Sequence, residues 1–394
     1  MKYCKGIAAL LLICCICFGN ISSSYAADIR DVKNDTWIAT DDLGRVLPLN
    51  DKTGNVKEDK YVGIFYFLFL NGSQDEAILD ITHSYKRGGI EAVWEDLLYG
   101  SGTFFWAEPY FGYYRNNDAW VYAKHAQLLC DAGVDFVFLD ITNHSAFFED
   151  AWQLLLDVWS DIRAKGGNTP QVVFHCGDQE ATGKMHIEWL WDKLYKDELH
   201  KELWFYWNGK PLILGNTKTL SDEIKSFFTI RRSWAFNSWT LETEGKGRWP
   251  WIAQYPQEPG RDEDGNIEQV AVSAGFHANS SKGRSYHKGK NEMSGRFDFG
   301  FGLETSGLGL AFAEQWSRVF ELDPKLVMIT GWNEFTAGRW IDPNANTQLV
   351  AGSYVVIHFN KGTVEDAVSF SVFSAFLSGL LALGVLYGYW RKNV

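Results

Sequence analysis

The chain has 394 residues, of which 46% are hydrophobic and 16% are aromatic, and its formal net charge is -12. These figures exclude an intrinsically disordered chain, and the negative charge argues against a nucleic-acid backbone or an anionic membrane surface as the main partner. The 18 Trp and 17 Tyr exceed the needs of a core alone, and flat rings with a polar edge suit stacking on sugars. A neutral substrate fits this composition.

The first residues have the pattern of a secretory signal peptide. Lys2 and Lys5 precede an apolar stretch, and small residues surround an expected cleavage site near Ala26. The sequence therefore predicts a signal peptide over 1–27 and an N-terminal extension over 28–60, with export to the periplasm or cell surface. Outside the signal peptide only Cys130 and Cys176 remain; one disulfide between them is open, and two buried thiols are favoured.

From residue 61 to residue 362, short apolar runs alternate with helical patterns, which is typical of βα units around a parallel sheet. The predicted strands are 61–70, 134–141, 171–176, 203–207, 211–214, 228–231, 249–254, 270–274 and 326–330, and the predicted helices are 117–130, 146–165, 185–203 and 309–320. With 203–207 and 211–214 flanking one turn, about eight strand units fit a (β/α)8 TIM-type barrel. Segments 258–266 and 279–294 are predicted loops. An open doubly wound sheet is the competing architecture, but no Gly-rich switch-point loop supports it.

The end of the chain is apolar. Residues 367–390 contain no charged side chain, and Arg391 and Lys392 follow them. Such a run is long enough for a membrane-spanning helix of about 20 residues, and cations after it match a stop-transfer signal. We therefore predict an apolar helix over 363–394 that anchors the protein in a membrane. A buried terminal helix and a tail foreign to the domain are the alternatives.

Polar residues follow the predicted strands, at the end where a parallel barrel carries its active site. Among the carboxylates there, three are candidates for the site: Glu334 after the last strand, Asp140 at the end of the second, and Glu108 among rings after the first. Two converging carboxyls are the equipment of glycoside hydrolysis, in which one protonates the leaving oxygen and the other attacks the sugar or activates water. The candidates for sugar binding are Trp106, Glu108, Tyr110, Asn143, His175, Gln254, His277, Asn333 and Trp340.

Each carboxylate also has a structural interpretation. Glu334 could cap a following helix, but the residues after it start a helix poorly, which favours a site role. Asp140 could bond a neighbouring loop, and for Glu108 sugar binding competes with a buried ion pair to Arg115. The histidines lack metal-ligand spacing, so neither a metal nor a cofactor is predicted. A serine hydrolase is not supported either, because no G-x-S-x-G elbow occurs.

Several segments together resemble a known family. They are KYVGIFYFLFLNG, HAQLLCDAGVDFVFLDITN, GGNTPQVVF, LWFYWNGKPLIL, GRSYH and ITGWNEFTAGRW, and over about residues 37–356 they resemble secreted bacterial glycoside-hydrolase-like proteins related to glycoside hydrolase families 71 and 99. The resemblance implies a (β/α)8 barrel that cleaves α-linked glycans, with Glu334 as one catalytic carboxyl. Family 99 has a second carboxylate three positions further on, where this chain has Ala337. The partner is then expected to be Asp140, or else Glu108.

The sequence therefore predicts an exported glycoside hydrolase that acts on a neutral poly- or oligosaccharide, with Glu334 and Asp140 as the catalytic pair. The alternative from another class is a non-catalytic carbohydrate-binding surface protein on the same barrel. Ala337 is the feature that favours this alternative.

Overall fold

The computed structural model describes residues 57–68, 108–142, 148–177, 179–215, 219–235, 246–253, 255–273 and 310–337, with scattered residues between 40 and 53, between 78 and 105 and between 286 and 291. Within these residues, no helix is both long and apolar enough to cross a membrane. The predicted signal peptide and C-terminal apolar helix lie outside the described residues, as do Trp106, Asn143, Gln254, His277 and Trp340.

Eight strands that run in the same direction form a closed barrel. Parallel pairing joins neighbouring strands except at one position, where the short strand Gly260–Arg261 pairs antiparallel with the strands on both sides of it. The last strand pairs with the first, which closes the barrel and confirms the predicted (β/α)8 fold. The strands are β1 (Tyr61–Tyr66), β2 (Phe136–Asp140), β3 (Gln171–His175), β4 (Lys210–Leu214), β5 (Thr229–Ala235), β6 (Arg248–Ile252), β7 (Ile267–Ser273) and β8 (Leu326–Trp332).

Helices connect the strands, and side-chain caps mark the beginnings of two of them. The Asp118 side chain accepts hydrogen bonds from the backbone of the first turn of α1, and Ser221 does the same for α4. The helices are α1 (Ala119–Asp131), α2 (Glu149–Ala164), α3 (Glu180–Leu190), α4 (Asp222–Phe227) and α5 (Leu310–Leu322). Short elements are the helix Asn50–Thr53, the π-helix Trp191–Tyr195, the 3-10 helix Lys201–Leu203, and the strands Phe104–Phe105, Tyr206–Trp207, Tyr286–His287, Lys290–Asn291 and Thr336–Ala337.

Three local predictions were wrong, and one of them is the loop expected over 279–294, which contains the paired strands Tyr286–His287 and Lys290–Asn291. The single helix expected over 185–203 begins earlier, at Glu180, and changes to a π-helix after Leu190, because helical periodicity does not distinguish the two hydrogen-bond patterns. The loop expected over 258–266 contains Gly260–Arg261, which completes the sheet between β6 and β7.

Apolar side chains fill both faces of the barrel wall, because strands of a parallel barrel are covered inside and outside. On β1 and β2 the side chains alternate: Phe65 and Phe138 belong to the inner cluster, whereas Ile64 and Leu139 pack outside, against the helices. Gly63 faces inward, where a Cβ atom would lie 2.3 Å from the ring of Phe136. Glycine therefore makes room for that ring in the barrel interior.

Glu268, near the beginning of β7, is a buried carboxylate whose charge is compensated by hydrogen-bond donors. Arg231 donates to both of its oxygens, at 2.6 and 2.9 Å, and the indole N–H groups of Trp207 and Trp249 donate at 2.9 and 2.8 Å. The guanidinium also lies 5.7 Å from the ring centroid of Trp249. Every charge of this pair has a partner, which is the condition under which a buried ion pair is tolerated.

Candidate active site

Asp140 lies at the carboxyl end of β2 and faces the barrel interior. Its side chain is on the same side of the strand as those of Phe136 and Phe138, which fill that interior. Only 2% of Asp140 is exposed. The backbone N–H of Thr142 donates to its carboxylate at 2.9 Å, so the turn after β2 holds the carboxylate in place.

Glu334 reaches the same end of the barrel through a register shift in β8. Ile64 pairs with Ile329, but Tyr66 pairs with Trp332, so β8 contains one extra residue relative to β1. The shift turns Trp332 outward, where its ring centroid lies 5.3 Å from that of His125. The two residues that follow it then leave the sheet beside β1.

The residue before Glu334 is fixed by three contacts. Asn333 has a positive φ of 70°, a left-handed conformation that asparagine adopts more readily than most residues. Its amide nitrogen donates to the Phe67 carbonyl at 2.9 Å, its amide oxygen accepts from the Tyr114 hydroxyl, and its carbonyl accepts from Phe335 N–H. Both ends of this side-chain amide are engaged within the protein, so Asn333 orients the chain at Glu334.

The residues after Glu334 do not form a helix. Thr336–Ala337 is a short strand that pairs antiparallel with Phe104–Phe105. The helix-cap interpretation of Glu334 is therefore wrong.

The two carboxyl groups affect each other electrostatically. Burial raises the pKa of Glu334 to about 7, and the negative charge of Asp140 contributes to the same rise. Burial likewise raises the pKa of Asp140 to about 6, against the opposing effect of hydrogen bonds from Thr142. Glu334 is only partly buried by surface area, and among the described residues none donates a hydrogen bond to its carboxylate.

His175 lies beside Asp140 in an aromatic surrounding. It is the last residue of β3 and pairs in register with Asp140. Its ring centroid lies 6.2 Å from that of Phe65, 6.1 Å from Phe138 and 5.8 Å from Trp251. Burial lowers the pKa of His175 to about 3, and its buried Nδ1 has no hydrogen-bond partner in the described part of the chain. The ring is therefore neutral near pH 7 and is not a proton donor there.

Glu108 and Tyr110 lie on the segment between β1 and α1, residues 108–118, which we call the rim loop. Glu108 is partly buried, and no ion pair joins it to Arg115 among the described residues. Tyr110 is 58% exposed. The same loop supplies Tyr114, which holds Asn333.

The structure thus brings Asp140, Glu334, His175 and Asn333 together at the carboxyl ends of β2, β3 and β8. Sequence reasoning did not single out Tyr114, Thr142 or Trp251. The contact of Thr142 could have been predicted from the sequence, because an Asp side chain often accepts a hydrogen bond from the backbone N–H two residues later and closes a turn. The contact of Tyr114 could not, since it is one of several aromatic residues in the run FGYYR.

Neither a metal centre nor a reactive thiol is apparent in the described part of the chain. It contains no group of three or more His, Cys, Asp or Glu side chains that could hold a metal ion. Cys130 and Cys176 are free thiols, as favoured from the sequence, and burial raises the pKa of both.

No protein-family model and no curated protein matches the chain. Two solved structures of the glycoside hydrolase family 99 endo-α-mannosidase from Bacteroides thetaiotaomicron, one in complex with bis-tris propane, are similar at 14% and 13% identity and TM-scores of 0.44 and 0.42, each covering 83% of this chain and 99% of the other. A structure described as a glycoside hydrolase-like protein matches at 10% identity and a TM-score of 0.37, covering 81% of this chain and 95% of the other. All three likenesses are to structures described as a glycoside hydrolase or as glycoside hydrolase-like, and all are at low identity.

Proposed function

We propose that this protein is an exported glycoside hydrolase that cleaves α-linked bonds in a neutral poly- or oligosaccharide, with Glu334 as general acid and Asp140 as its partner. One observation carries the proposal: two carboxyls that repel each other converge at the carboxyl end of a barrel, with pKa values of about 7 and about 6. Strongly perturbed carboxyls in such a position are typical of catalytic groups rather than of structural ones.

The surroundings of the two carboxyls support this division of roles. Thr142 stabilises ionised Asp140 by hydrogen bonds, whereas no described residue does so for Glu334. The pair titrates as a coupled unit, and the first proton to leave comes from the partner whose anion accepts hydrogen bonds, which is Asp140. Near neutral pH, Asp140 is then ionised and Glu334 keeps its proton, which is the state that glycoside hydrolysis requires.

In this mechanism the proton of Glu334 passes to the glycosidic oxygen as the bond from that oxygen to the anomeric carbon breaks. Asp140 either attacks the anomeric carbon or removes a proton from an attacking water. The two routes give opposite anomers as first product, so proton NMR of the fresh product distinguishes them. The rings of Phe65 and Trp251, stacked at 5.2 Å, line the barrel interior beside His175 and offer an apolar floor for a sugar.

The second candidate is a carbohydrate-binding protein without catalytic activity. Ala337 favours it, because the place three positions after Glu334, where family 99 is expected to carry a carboxylate, lies in a short strand and offers none. This candidate predicts glycan affinity with no cleavage of any bond.

The test is release of reducing sugars from a panel of α-linked and β-linked neutral polysaccharides. We expect release by the wild type and a loss of about a thousand-fold or more in kcat for Glu334→Gln, which removes the acid together with its electrostatic contribution. Asp150→Asn, an exposed carboxylate on α2, is the matched control and should keep the wild-type rate.

An aryl glycoside with an acidic phenol as leaving group separates acid catalysis from misfolding. Such a leaving group needs little protonation, so Glu334→Gln should lose far less activity on it than on the polysaccharide. Equal losses on both substrates would contradict the role of Glu334 as acid. Binding of a polysaccharide by folded wild-type protein with no release would support the second candidate.

A further inference from the structure

An exposed group of aromatic rings lies on the rim loop and the first turn of α1. Tyr110 is 58% exposed and Trp120 is 55% exposed. Phe111 lies between them, with ring centroids 5.4 Å from Tyr110 and 5.2 Å from Trp120 and with nearly perpendicular ring planes. We call these three rings the aromatic platform. Contiguous exposed apolar surface on a soluble protein is typical of a binding site.

The aromatic platform adjoins the candidate active site without being part of it. The ring centroid of Phe111 lies 6.1 Å from that of His125. The His125 centroid in turn lies 5.3 Å from that of Trp332, on the outer side of β8. The rim loop also carries Tyr114, which bonds Asn333 next to Glu334. The aromatic platform is therefore attached to the same stretch of wall as Glu334, but on its outer face.

Hydrogen bonds order the backbone that carries the three rings before any ligand arrives. The Asp118 carboxylate accepts a hydrogen bond from the backbone N–H of Trp120 at 3.0 Å, and the Tyr122 hydroxyl donates to the Asn116 carbonyl in the rim loop. Gly112 N–H donates to the Pro109 carbonyl at 2.9 Å, which closes a turn next to Phe111. A surface that is already ordered loses little conformational entropy when it binds.

We propose that the aromatic platform is an additional subsite that takes a neutral sugar unit of the glycan chain whose bond is cleaved at the carboxyl pair. This inference rests on the proposed function and names a second contact for its substrate. The C–H faces of a sugar stack on aromatic rings, and the position beside the mouth suits a chain that extends out of it. The net charge of -12 disfavours an anionic membrane surface as the occupant.

The first experiment compares a polymer with a short aryl glycoside as substrates. For the double variant Tyr110→Ala with Trp120→Ala, we expect the ratio of kcat/KM on the polymer to kcat/KM on the glycoside to fall about tenfold, the order expected for two ring contacts. The matched control is Tyr206→Ala, a tyrosine that is 40% exposed and lies before β4, at the opposite end of the barrel. An unchanged ratio in the double variant would overturn the proposal.

A binding experiment separates this subsite from the proposed catalysis. In affinity electrophoresis through gels that contain the same polysaccharides, the Glu334→Gln protein should be retarded, and adding the platform substitutions should abolish most of the retardation. If no variant cleaves any substrate but this pattern holds, the subsite stands and the proposed hydrolysis falls. If no polysaccharide retards the protein, or if the platform substitutions only convert a dimer to a monomer in light scattering, the subsite is refuted.

Discussion

Glu268 and Glu334 are carboxylates of the same barrel in opposite electrostatic situations. In the first halves of β5 to β7, Glu268 accepts four hydrogen bonds from Arg231, Trp207 and Trp249. After β8, Glu334 has a second acid, Asp140, as its electrostatic neighbour, and no described residue donates to its carboxylate. Four donors surround one carboxylate, whereas burial and a neighbouring acid raise the pKa of the other.

Under the proposed function, this difference separates an end of the barrel that contributes to stability from an end that carries the chemistry. A buried charge costs several kcal/mol unless partners compensate it, so an arrangement such as that of Glu268 contributes to holding the fold. An uncompensated pair raises its own pKa values, and proton transfer near neutral pH needs that property. The same separation of roles between the two ends is general for parallel βα barrels.

The contrast between Glu268 and Glu334 is contradicted if substitution by Gln changes the free energy of unfolding equally at both positions. Glu268→Gln leaves Arg231 charged, buried and poorly paired, so we expect the free energy of unfolding to fall by about 3–5 kcal/mol. Glu334→Gln removes a repelled carboxyl, and we expect its free energy of unfolding to equal or exceed that of the wild type. Urea unfolding at pH 7 measures both.

The control for Glu268→Gln is Glu263→Gln. The Glu263 carboxylate lies 3.9 Å from the Arg231 guanidinium, but its side chain is 73% exposed, so its loss should change stability by less than about 1 kcal/mol. A large loss of stability in Glu334→Gln, comparable with that in Glu268→Gln, would show that Glu334 is structural.

The pH dependence of stability sharpens the comparison. The pKa of Glu334 is raised from its ordinary value to about 7 by burial and by Asp140. Below pH 4 the Glu334 carboxyl is protonated in both the folded and unfolded states, so its raised pKa does not lower the free energy of unfolding there. As the pH rises from about 4 to about 7, only the unfolded state ionises, so the folded state loses stability.

We therefore expect Glu334→Gln to equal the wild type in stability near pH 4 and to exceed it by on the order of 1–2 kcal/mol at pH 8, a figure reduced for the partial exposure of Glu334. Thermal melts of both proteins across this range give the difference directly. The kcat profile of the wild type should be bell-shaped, because activity needs one carboxyl protonated and one ionised. A stability difference that does not depend on pH would contradict the raised pKa.

The barrel and its two carboxylates were readable from the sequence for physical reasons. Strands covered on both faces contain apolar runs, as in FVFL of β2 and LVMI of β8, and polar residues after such a run mark the end of the strand. Asp140 and Glu334 both stand at such ends. Because all strand ends of one kind meet at one mouth, their convergence followed from the fold alone.

The finer arrangement depends on pairing between distant segments. The extra residue of β8 relative to β1 is defined only by their register, yet it decides that Trp332 faces outward. The contact between Tyr114 and Asn333 joins residues 219 positions apart, and no local pattern marks it. The ionisation of the carboxyl pair likewise depends on burial and proximity, which the sequence does not contain.

The smallest expected effect concerns the hydrogen bond from Tyr114 to Asn333, the residue that positions Glu334. In Tyr114→Phe, the buried amide oxygen of Asn333 loses its hydroxyl donor, and the cost should be about 1–2 kcal/mol in the free energy of unfolding. The left-handed turn at Asn333 then fixes Glu334 less firmly, and a small displacement of a catalytic group is expensive in rate. We expect kcat to fall about tenfold with KM little changed, because the contact positions the acid and does not bind the substrate.

Tyr122→Phe is the matched control for this prediction. Its hydroxyl is also engaged, since it donates to the Asn116 carbonyl of the rim loop, but it does not contact Asn333. The two variants should lose similar stability, and only Tyr114→Phe should lose rate. Steady-state kinetics beside urea unfolding provides both quantities. If kcat falls equally in both variants, the loss reflects general loosening of the rim loop, and Asn333 does not depend on Tyr114 to position Glu334.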